Sequence, residues 1–290
     1  MRLDRFLSVH IARPLVRMQI RAVRSIPILM YHGIRPVTGP RRPYRATCTA
    51  PEVFAAHLQF LAEAGYRGVS LKEAISSPPA IEKMAVLTFD DGFDDFYRTA
   101  FPQLARHRFS ATLFVVSTFA ASGSRRPADF ATDCFLDWSE IRALDQAGIE
   151  IGSHTATHPR LWTMSARARE SELRTSKAEI ENAIGRPVES FAHPFAFPEQ
   201  SAAYASELCG LLRDCGYRAG VSTRIGIAQP APGEYLLPRL PVNTYDDLAL
   251  LAAKLEGGYN WLEPIQRHYK RHLKPLFPHI GSHPRGEVHE

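Results

Sequence analysis

Short apolar runs rich in β-branched residues alternate along this chain with longer stretches in which apolar residues recur every three to four positions. The short runs predict buried strands, and the longer stretches predict amphipathic helices. From residue 26 onward we count roughly seven such strand–helix units. Regular alternation of strands with helices is typical of a parallel sheet or barrel covered by helices, so the pattern predicts an α/β fold.

Glycine and proline mark several element ends. Gly148 is a favourable helix C-cap, and Gly185 with Pro187 stops the next helix. The predicted strands are 26–31, 84–89, 111–116, 149–153, 188–192 and 217–222, the predicted helices are 51–65, 93–107, 139–147, 166–184 and 202–215, and a polar loop is predicted around 121–128. The polar clusters described below follow strand ends, where parallel α/β folds place ligands and catalytic residues.

Two adjacent carboxylates, Asp90 and Asp91, follow the predicted strand 84–89 and precede Gly92. Asp-Asp-Gly is also ordinary turn chemistry, so the motif does not identify a site by itself. Two adjacent aspartates identify a metal or catalytic site only when other ligand-type residues accompany them.

Two imidazoles, His154 and His158, follow the predicted strand 149–153. On a helical turn, this spacing puts both rings on one face, where they can share an ion at about 2.1 Å from each nitrogen. Two histidines and a carboxylate leave one coordination position open for water, as catalytic zinc sites do. If one aspartate binds the ion, its neighbour can accept a proton from water.

Thr-Phe-Asp-Asp-Gly at 88–92, followed by Gly-Ser-His-Thr-Ala-Thr-His-Pro at 152–159, resembles the polysaccharide deacetylases of carbohydrate esterase family four, the chitooligosaccharide deacetylase type. The resemblance extends over most of residues 28–242 and includes the passage 137–150 that leads into the histidines. It implies a distorted (β/α) barrel with about seven parallel strands.

Carried over position by position, the resemblance implies that Asp90 is the general base and that Asp91, His154 and His158 bind a divalent metal, usually Zn²⁺. The implied reaction removes N-acetyl groups from an N-acetylhexosamine-containing glycan or glycolipid, with the ion as Lewis acid, and releases acetate and a free amine. The expected partner is therefore a carbohydrate that bears N-acetyl groups. Cobalt and nickel accept the same ligand types.

Amide hydrolysis also requires that the leaving nitrogen be protonated, a task that suits histidine. Residues 29–33, Leu-Met-Tyr-His-Gly, resemble a subgroup of exopolysaccharide deacetylases in which this histidine comes early in the chain. We therefore expect His32 to be the general acid. The alternative is a histidine that is merely hydrogen-bonded at a strand end.

The third family motif usually reads Arg-x-Pro-Tyr, and the matching residues here are His193, Pro194 and Phe195 after Ala192. The backbone N–H of Phe195 can still serve the oxyanion, because every residue except proline has one. The motif arginine is missing. Residues 237–242 resemble a late segment of the same subgroup, and we expect Arg239 to orient the catalytic aspartate. A surface arginine after a proline turn is the alternative.

Trp138 stands beside the start of a predicted helix. An indole ring there could stack on a pyranose ring and form one wall of a sugar-binding cleft. The alternative is that Trp138 belongs to the core, as lone tryptophans usually do.

The composition, 45% hydrophobic and 22% charged, is that of an ordinary globular protein. No apolar run reaches the length of a bilayer crossing, and the first residues lack the pattern of a secretory signal, so we expect a cytoplasmic location. The four cysteines form no Cys-x-x-Cys pair, which favours free thiols over a zinc knuckle or disulfides.

The formal charge of +5 comes from residues 1–24, which hold six arginines and one aspartate, 6 − 1 = 5. On a helical wheel the arginines fall on one side and leucines and isoleucine largely opposite. Such a segment either lies on an anionic membrane, here at the inner face, or packs on the barrel with a solvated basic side. We divide the chain into a basic amphipathic segment at 1–25, the barrel at 26–245 and a helical, basic extension at 246–290.

Two rival functions remain open: a deformylase or amidase that acts on a lipid-linked amino sugar, and a non-catalytic carbohydrate-binding protein on the same fold. A spare carboxylate beside the ion argues against the second. The sequence lacks the Gly-x-Ser-x-Gly elbow of serine hydrolases and a glycine-rich phosphate loop with lysine. No aromatic–basic platform suggests a nucleic-acid partner.

Overall fold

The computed structural model of this chain describes residues 2–17, 25–37, 46–77, 83–121, 134–198 and 201–268. The loop predicted at 121–128 and the end of the basic extension lie almost wholly outside these residues. Eight strands are described: β1 (Ile28–Tyr31), β2 (Tyr66–Val69), β3 (Lys83–Phe89), β4 (Thr112–Val115), β5 (Glu150–Ser153), β6 (Ser190–Ala192), β7 (Ala219–Ile225) and β8 (Leu237–Pro241).

Seven of these strands form a closed ring in which every pairing is parallel. The order is β1-β8-β7-β6-β5-β4-β3, and β3 returns to β1 with Ile28 opposite Val86. β2 is an eighth strand that pairs with the first half of β3, where Tyr66 lies opposite Lys83. The predicted α/β fold, a distorted barrel with about seven parallel strands, is therefore confirmed.

Helices surround the barrel: α1 (Leu3–Leu7), α2 (Arg13–Arg17), α3 (Pro51–Glu63), α4 (Leu71–Ser76), α5 (Phe101–Arg106), α6 (Ser117–Ala120), α7 (Trp138–Gln146), α8 (Ala166–Ile184), α9 (Ala202–Asp214), α10 (Leu248–Leu255) and α11 (Leu262–His268). π-Helical turns at Ser8–Ala12 and Phe96–Ala100 lead into α2 and α5. Local sequence sets several ends. Asp137 and Glu140 form a capping box at the start of α7, and Gly185 ends α8 in the left-handed conformation.

Apart from the first residue of β3, the strands β3, β4 and β6 are buried on both sides, which is why their sequences are nearly continuous apolar runs. Gly152 in β5 permits close packing, since a Cβ atom there would lie 2.5 Å from the ring of Phe114. This tight packing fixes the strand ends from which the functional side chains project.

β2 and β8 were not predicted as strands. β2 carries Arg67 and Gly68 in its middle, so it lacks an apolar run, yet Gly68 lets the ring of Phe109 approach the sheet. β8 contains Pro238 and Pro241, which indicated a turn. Proline removes only its own N–H, and β8 still pairs with both β7 and β1.

The N-terminal segment packs on the barrel beside α10. Arg2 and Arg5 form ion pairs with Asp246 and Asp247, respectively, and Arg13 pairs with Glu256. Leu3, Ile11 and Leu15 are instead exposed. Of the two alternatives, the structure has the segment packed on the barrel. Its basic side is not simply solvated, because these three arginines pair with carboxylates of the chain itself. Among the described residues, none of the helices is long and apolar enough to cross a bilayer.

Candidate active site

The side chains singled out at the strand ends meet in one cavity of about 660 Å³. They come from the ends of β1, β3 and β5 and from the loops that follow β5 and β6, and they include His32, Asp90, Asp91, His154, His158 and Phe195. The size lies within the range of small-molecule sites, roughly 300–1,000 Å³. The cavity opens at the carboxyl ends of the strands, where parallel barrels place their chemistry.

Three buried side chains at the floor of the cavity have the geometry of a metal site. Asp91 Oδ1 lies 3.4 Å from His154 Nε2 and 3.4 Å from His158 Nε2. Four ligands placed tetrahedrally at about 2.0–2.1 Å from a zinc ion are separated by about 3.3–3.4 Å. In the described part of the chain, this is the one set of three ligand atoms within 4.8 Å of one another. The residues present therefore fit a small divalent ion.

The orientation of His154 also suits a ligand. Its Nδ1 lies 2.8 Å from the backbone carbonyl oxygen of Ala192, at the end of the neighbouring strand β6. A donor at Nδ1 leaves the Nε2 lone pair for an ion, which is how metal-binding histidines are usually held. The β5–β6 pairing of Ser153 with Phe191 thus sets the direction of this ring.

The two histidines do not lie on a helical turn, contrary to the geometry that their spacing suggested. Residues 154–158 form a loop in which Thr155 and His158 have φ values of +70° and +57°. The hydroxyl of Thr155 accepts a hydrogen bond from the His158 N–H at 3.0 Å. These left-handed residues fold the loop back, so that both Nε2 atoms face Asp91.

The charge states of Asp91 and His158 suit metal binding, whereas His154 is biased toward protonation. Burial alone would raise the pKa of Asp91, but the surrounding imidazoles, His154 first, outweigh burial and hold that pKa well below its usual range. Burial lowers the pKa of His158 to about 4, so its ring is neutral at neutral pH. Burial also acts to lower the pKa of His154, but Asp91 and then Asp90 raise it above its ordinary value. A metal would compete with a proton at that ring.

Asp90 lies beside the ligands and is held by Arg239. The guanidinium donates to both carboxylate oxygens, Nη1 to Oδ1 and Nη2 to Oδ2, each at 2.7 Å. Its remaining bonds go to the carbonyl of Ser222 at 2.9 Å and the hydroxyl of Thr88 at 3.2 Å. Arg239 is completely buried, so it is not the surface arginine of the alternative interpretation.

This ion pair decides the charge of Asp90. Burial opposes ionisation, but the charge of Arg239 overcomes it and holds the pKa of Asp90 below its ordinary value. His32 Nε2 stands 3.9 Å from Asp90 Oδ2, too far for a direct hydrogen bond. Both groups line the cavity, so a substrate bound there can contact His32 and Asp90 together.

The residues after β6 form the opposite wall. Phe195 has a left-handed φ of +57°, and its ring packs on His158 with the centroids 4.5 Å apart. Pro194 is buried at the turn. Burial lowers the pKa of His193 to about 3, and its Nε2 lies 2.8 Å from the hydroxyl of Tyr204. His193 is thus a neutral, buried ring at the position of the family arginine.

Trp138 is not among the described residues that line the cavity. It is half-buried against the main hydrophobic core, which corresponds to the alternative considered for it. Another indole, Trp162, lies nearer the site and stacks on His193 with centroids 6.0 Å apart. The one available signal for Trp162 was its position in sequence, just after the second histidine motif.

One side of the cavity is built by the N-terminal segment and by residues that follow β8. Arg2 and Asp4 line it together with Asn243 and Tyr259. The Tyr259 hydroxyl donates to Asp4 Oδ2 at 3.1 Å, and Arg2 Nη2 donates to the same oxygen at 2.6 Å. Arg2, Asp4 and Tyr259 lie outside the predicted barrel segment 26–245, and none of these four residues was predicted to belong to the site.

A family model described as Polysaccharide deacetylase matches residues 77–220. The match contains Asp90, Asp91 and both histidine ligands, and it excludes His32 and Arg239. YxkH of Bacillus subtilis (strain 168), which by its name is grouped with the polysaccharide deacetylases, is 29% identical over 223 residues, or 76% of this chain and 72% of that protein.

Two further comparisons agree with this match. The poly-β-1,6-N-acetyl-D-glucosamine N-deacetylase of Escherichia coli (strain K12) is 29% identical over 106 residues, 33% of this chain and 16% of that protein. The deacetylase PplD of Streptococcus pyogenes, solved in complex with acetate, has the same fold, with a TM-score of 0.65, 24% identity and coverage of 81% of this chain and 99% of that chain. With both sequence motifs meeting in one cavity of the matching barrel, residues 77–220 of this chain form part of a polysaccharide deacetylase domain.

Proposed function

We propose that this protein is a metal-dependent deacetylase that hydrolyses N-acetyl groups on an N-acetylhexosamine-containing glycan or glycolipid. The observation that carries the proposal is the convergence of Asp91, His154 and His158 at the ligand–ligand distances of a tetrahedral metal site. Asp90, outside this set, is held next to it by Arg239. A structural metal site would not require that second carboxylate. The family-model match over residues 77–220 and the N-deacetylase activity in the name of the Escherichia coli relative support the same activity.

In this proposal Asp91, His154 and His158 hold the divalent ion, with zinc the expected metal. When bound, the ion supplies Lewis-acid chemistry at the amide carbonyl and makes water acidic enough to lose a proton near neutral pH. The buried, carbonyl-oriented ring of His154 and the neutral ring of His158 are suited to such an ion.

Asp90 accepts the proton of the attacking water, and Arg239 keeps its carboxylate ionised and correctly oriented. The water oxygen forms the new C–O bond at the acetamide carbonyl carbon. The backbone N–H of Phe195 donates a hydrogen bond to the carbonyl oxygen as it gains negative charge. His32 donates a proton to the sugar nitrogen as the C–N bond breaks. The products are acetate and the free amine.

The substrate class rests on chemistry and on likeness. The name of the Escherichia coli relative states that it acts on poly-β-1,6-N-acetyl-D-glucosamine. The cavity of about 660 Å³ combines aromatic rings with hydroxyl, amide and charged groups, which suits a short stretch of a sugar chain. We therefore infer an N-acetylglucosamine-type unit as the group that enters the site.

The test is an assay of acetate and free amine released from purified protein incubated with zinc and N-acetylglucosamine oligomers of β-1,4 and β-1,6 linkage. Equal molar release of acetate and amine, lost with a chelator and restored by zinc, is expected. Release of formate from N-formyl analogues without acetate from N-acetyl substrates would instead indicate a deformylase. Sugar binding with no release of either acid would make the protein a carbohydrate-binding module.

A further inference from the structure

A single glutamate on α8 binds the loop that carries the second histidine. Glu172 Oε2 accepts hydrogen bonds from the backbone N–H groups of Ala156 and Thr157, both at 2.9 Å. Its Oε1 accepts the hydroxyl of Thr157 at 2.8 Å. All three donors belong to residues between His154 and His158, so one carboxylate spans the segment between the two imidazoles.

This loop needs such support, because its backbone is strained. Thr155 and His158 both adopt left-handed φ values, and the branched Cβ of Thr155 makes that conformation costly. Such residues carry a conformational cost and persist only where surrounding contacts hold them in place. Without the strained residues, the chain would not turn back to bring His158 Nε2 near Asp91.

Hydrogen bonds hold the loop from two sides. On one side α6 supplies donors: the N–H of Thr118 bonds to the carbonyl of Ala156 at 3.1 Å, and its hydroxyl bonds to the same oxygen at 2.7 Å. On the other side Glu172 accepts hydrogen bonds from the N–H groups of Ala156 and Thr157. Neutral donors satisfy the carbonyls, and a charged acceptor satisfies the amides with stronger, charge-assisted bonds.

Glu172 is itself fixed by a well-packed helix. Its neighbour Leu173 is fully buried in the core. One turn further on, the hydroxyl of Ser176 lies 2.9 Å from that of Ser153, the residue just before His154. The helix is thus tied to the strand end that delivers the first ligand, and Glu172 connects the same helix to the loop that delivers the second.

We propose that Glu172 is a positioning residue of the metal site, which presets the distance between the two imidazoles and thereby the affinity for the ion. The inference rests on the proposed function, in which Asp91, His154 and His158 bind a divalent metal. Mutation of residues that orient metal ligands typically weakens metal affinity by about 10- to 100-fold. Glu172 touches neither the ligand atoms nor the cavity, so it acts through the loop.

The test measures the zinc dissociation constant by competition with a chromophoric chelator, and urea unfolding of the metal-free protein, for Glu172→Ala and its matched control Glu170→Ala. Glu170 lies on the same helix and pairs with Arg174. We expect a 10- to 100-fold weaker zinc affinity for Glu172→Ala, no change for Glu170→Ala, and metal-free unfolding midpoints that stay close together. Glu172→Gln, which can still accept from both amides, should recover most of the affinity.

Unchanged zinc affinity in Glu172→Ala would overturn the inference. So would an affinity loss in Glu172→Ala that the glutamine variant shares in full. If the alanine variant does not fold, Glu172→Asp withdraws the carboxylate by one methylene, and a folded aspartate variant with wild-type affinity would overturn the inference as well. A wild-type protein that binds no divalent ion would overturn the proposed function together with this inference. Zinc binding without acetate release would count against the proposed substrate alone.

Discussion

Removing the guanidinium of Arg239 is the sharpest perturbation of the catalytic machinery, because Arg239 touches the base and none of the three metal ligands. In Arg239→Ala, Asp90 loses two hydrogen bonds of 2.7 Å and its one fully buried counter-charge. The carboxylate would then be buried without compensation, a condition that raises its pKa and leaves it free to rotate. Proton transfer and orientation both suffer.

The expected magnitudes follow from the burial of the pair. Breaking a buried ion pair by removing one partner costs about 3–5 kcal/mol of folding free energy. A positioned general base contributes about 10²- to 10⁴-fold to a rate, so a misplaced one should lower turnover by at least about 10²-fold. Arg239→Lys restores the charge but not the two-pronged geometry, and should recover only part of the rate.

The assay compares acetate release, zinc content and urea unfolding for these variants and for Arg218→Ala. Arg218 is a matched control, because its side chain is 68% exposed and its pair with Glu189 at 3.1 Å lies on the surface. Loss of such a surface pair costs about 0–1 kcal/mol. Zinc content should stay at the wild-type level in every variant.

Turnover within threefold of the wild type in a folded, zinc-loaded Arg239→Ala protein would refute the assigned role of Arg239. Loss of zinc together with loss of turnover would mean that Arg239 supports the metal site rather than the base.

Other variants test the remaining groups. Asp90→Asn should lower acetate release by about 10²- to 10⁴-fold while zinc analysis shows the metal still bound, and loss of the metal would contradict its assignment as base. His32→Ala should slow N-acetyl hydrolysis by a similar factor but affect an aryl acetate ester much less, because a phenolate departs without a proton; equal losses on both substrates would argue against a general acid. Zinc at about 100 times its dissociation constant should raise the free energy of unfolding by about 2.7 kcal/mol in calorimetry, and a variant with Asp91→Ala should lose that gain.

The barrel could be predicted from sequence wherever a strand is buried on both sides. The run 84–89 and the helix 166–184 were assigned from local pattern, and the structure has β3 at Lys83–Phe89 and α8 at Ala166–Ile184. β2 and β8 were not predicted, because Gly68 and Pro238 are typical turn residues. Both strands form through pairing with other strands, which the local sequence does not show. Tertiary contacts overrode the local signal there.

The candidate site divides in the same way. The candidate ligands Asp91, His154 and His158 lie in two short motifs, and the spacing of these motifs predicted them. Arg239 lies 149 residues from Asp90, so only the family resemblance, and no local pattern, connected the two. Glu172 lies in an ordinary charged stretch of helix, where nothing in the sequence marks a residue that supports a strained loop. The contribution of Arg2 and Asp4 to the cavity wall depends on ion pairs formed only after folding.

The most direct test of the central claim is anomalous diffraction at the zinc edge from crystals grown with stoichiometric zinc. A single peak is predicted at about 2.0–2.1 Å from Asp91 Oδ1, His154 Nε2 and His158 Nε2, with the Asp90 carboxylate outside the coordination sphere. A zinc peak at another place, or an ion that takes Asp90 as a ligand, would contradict the account.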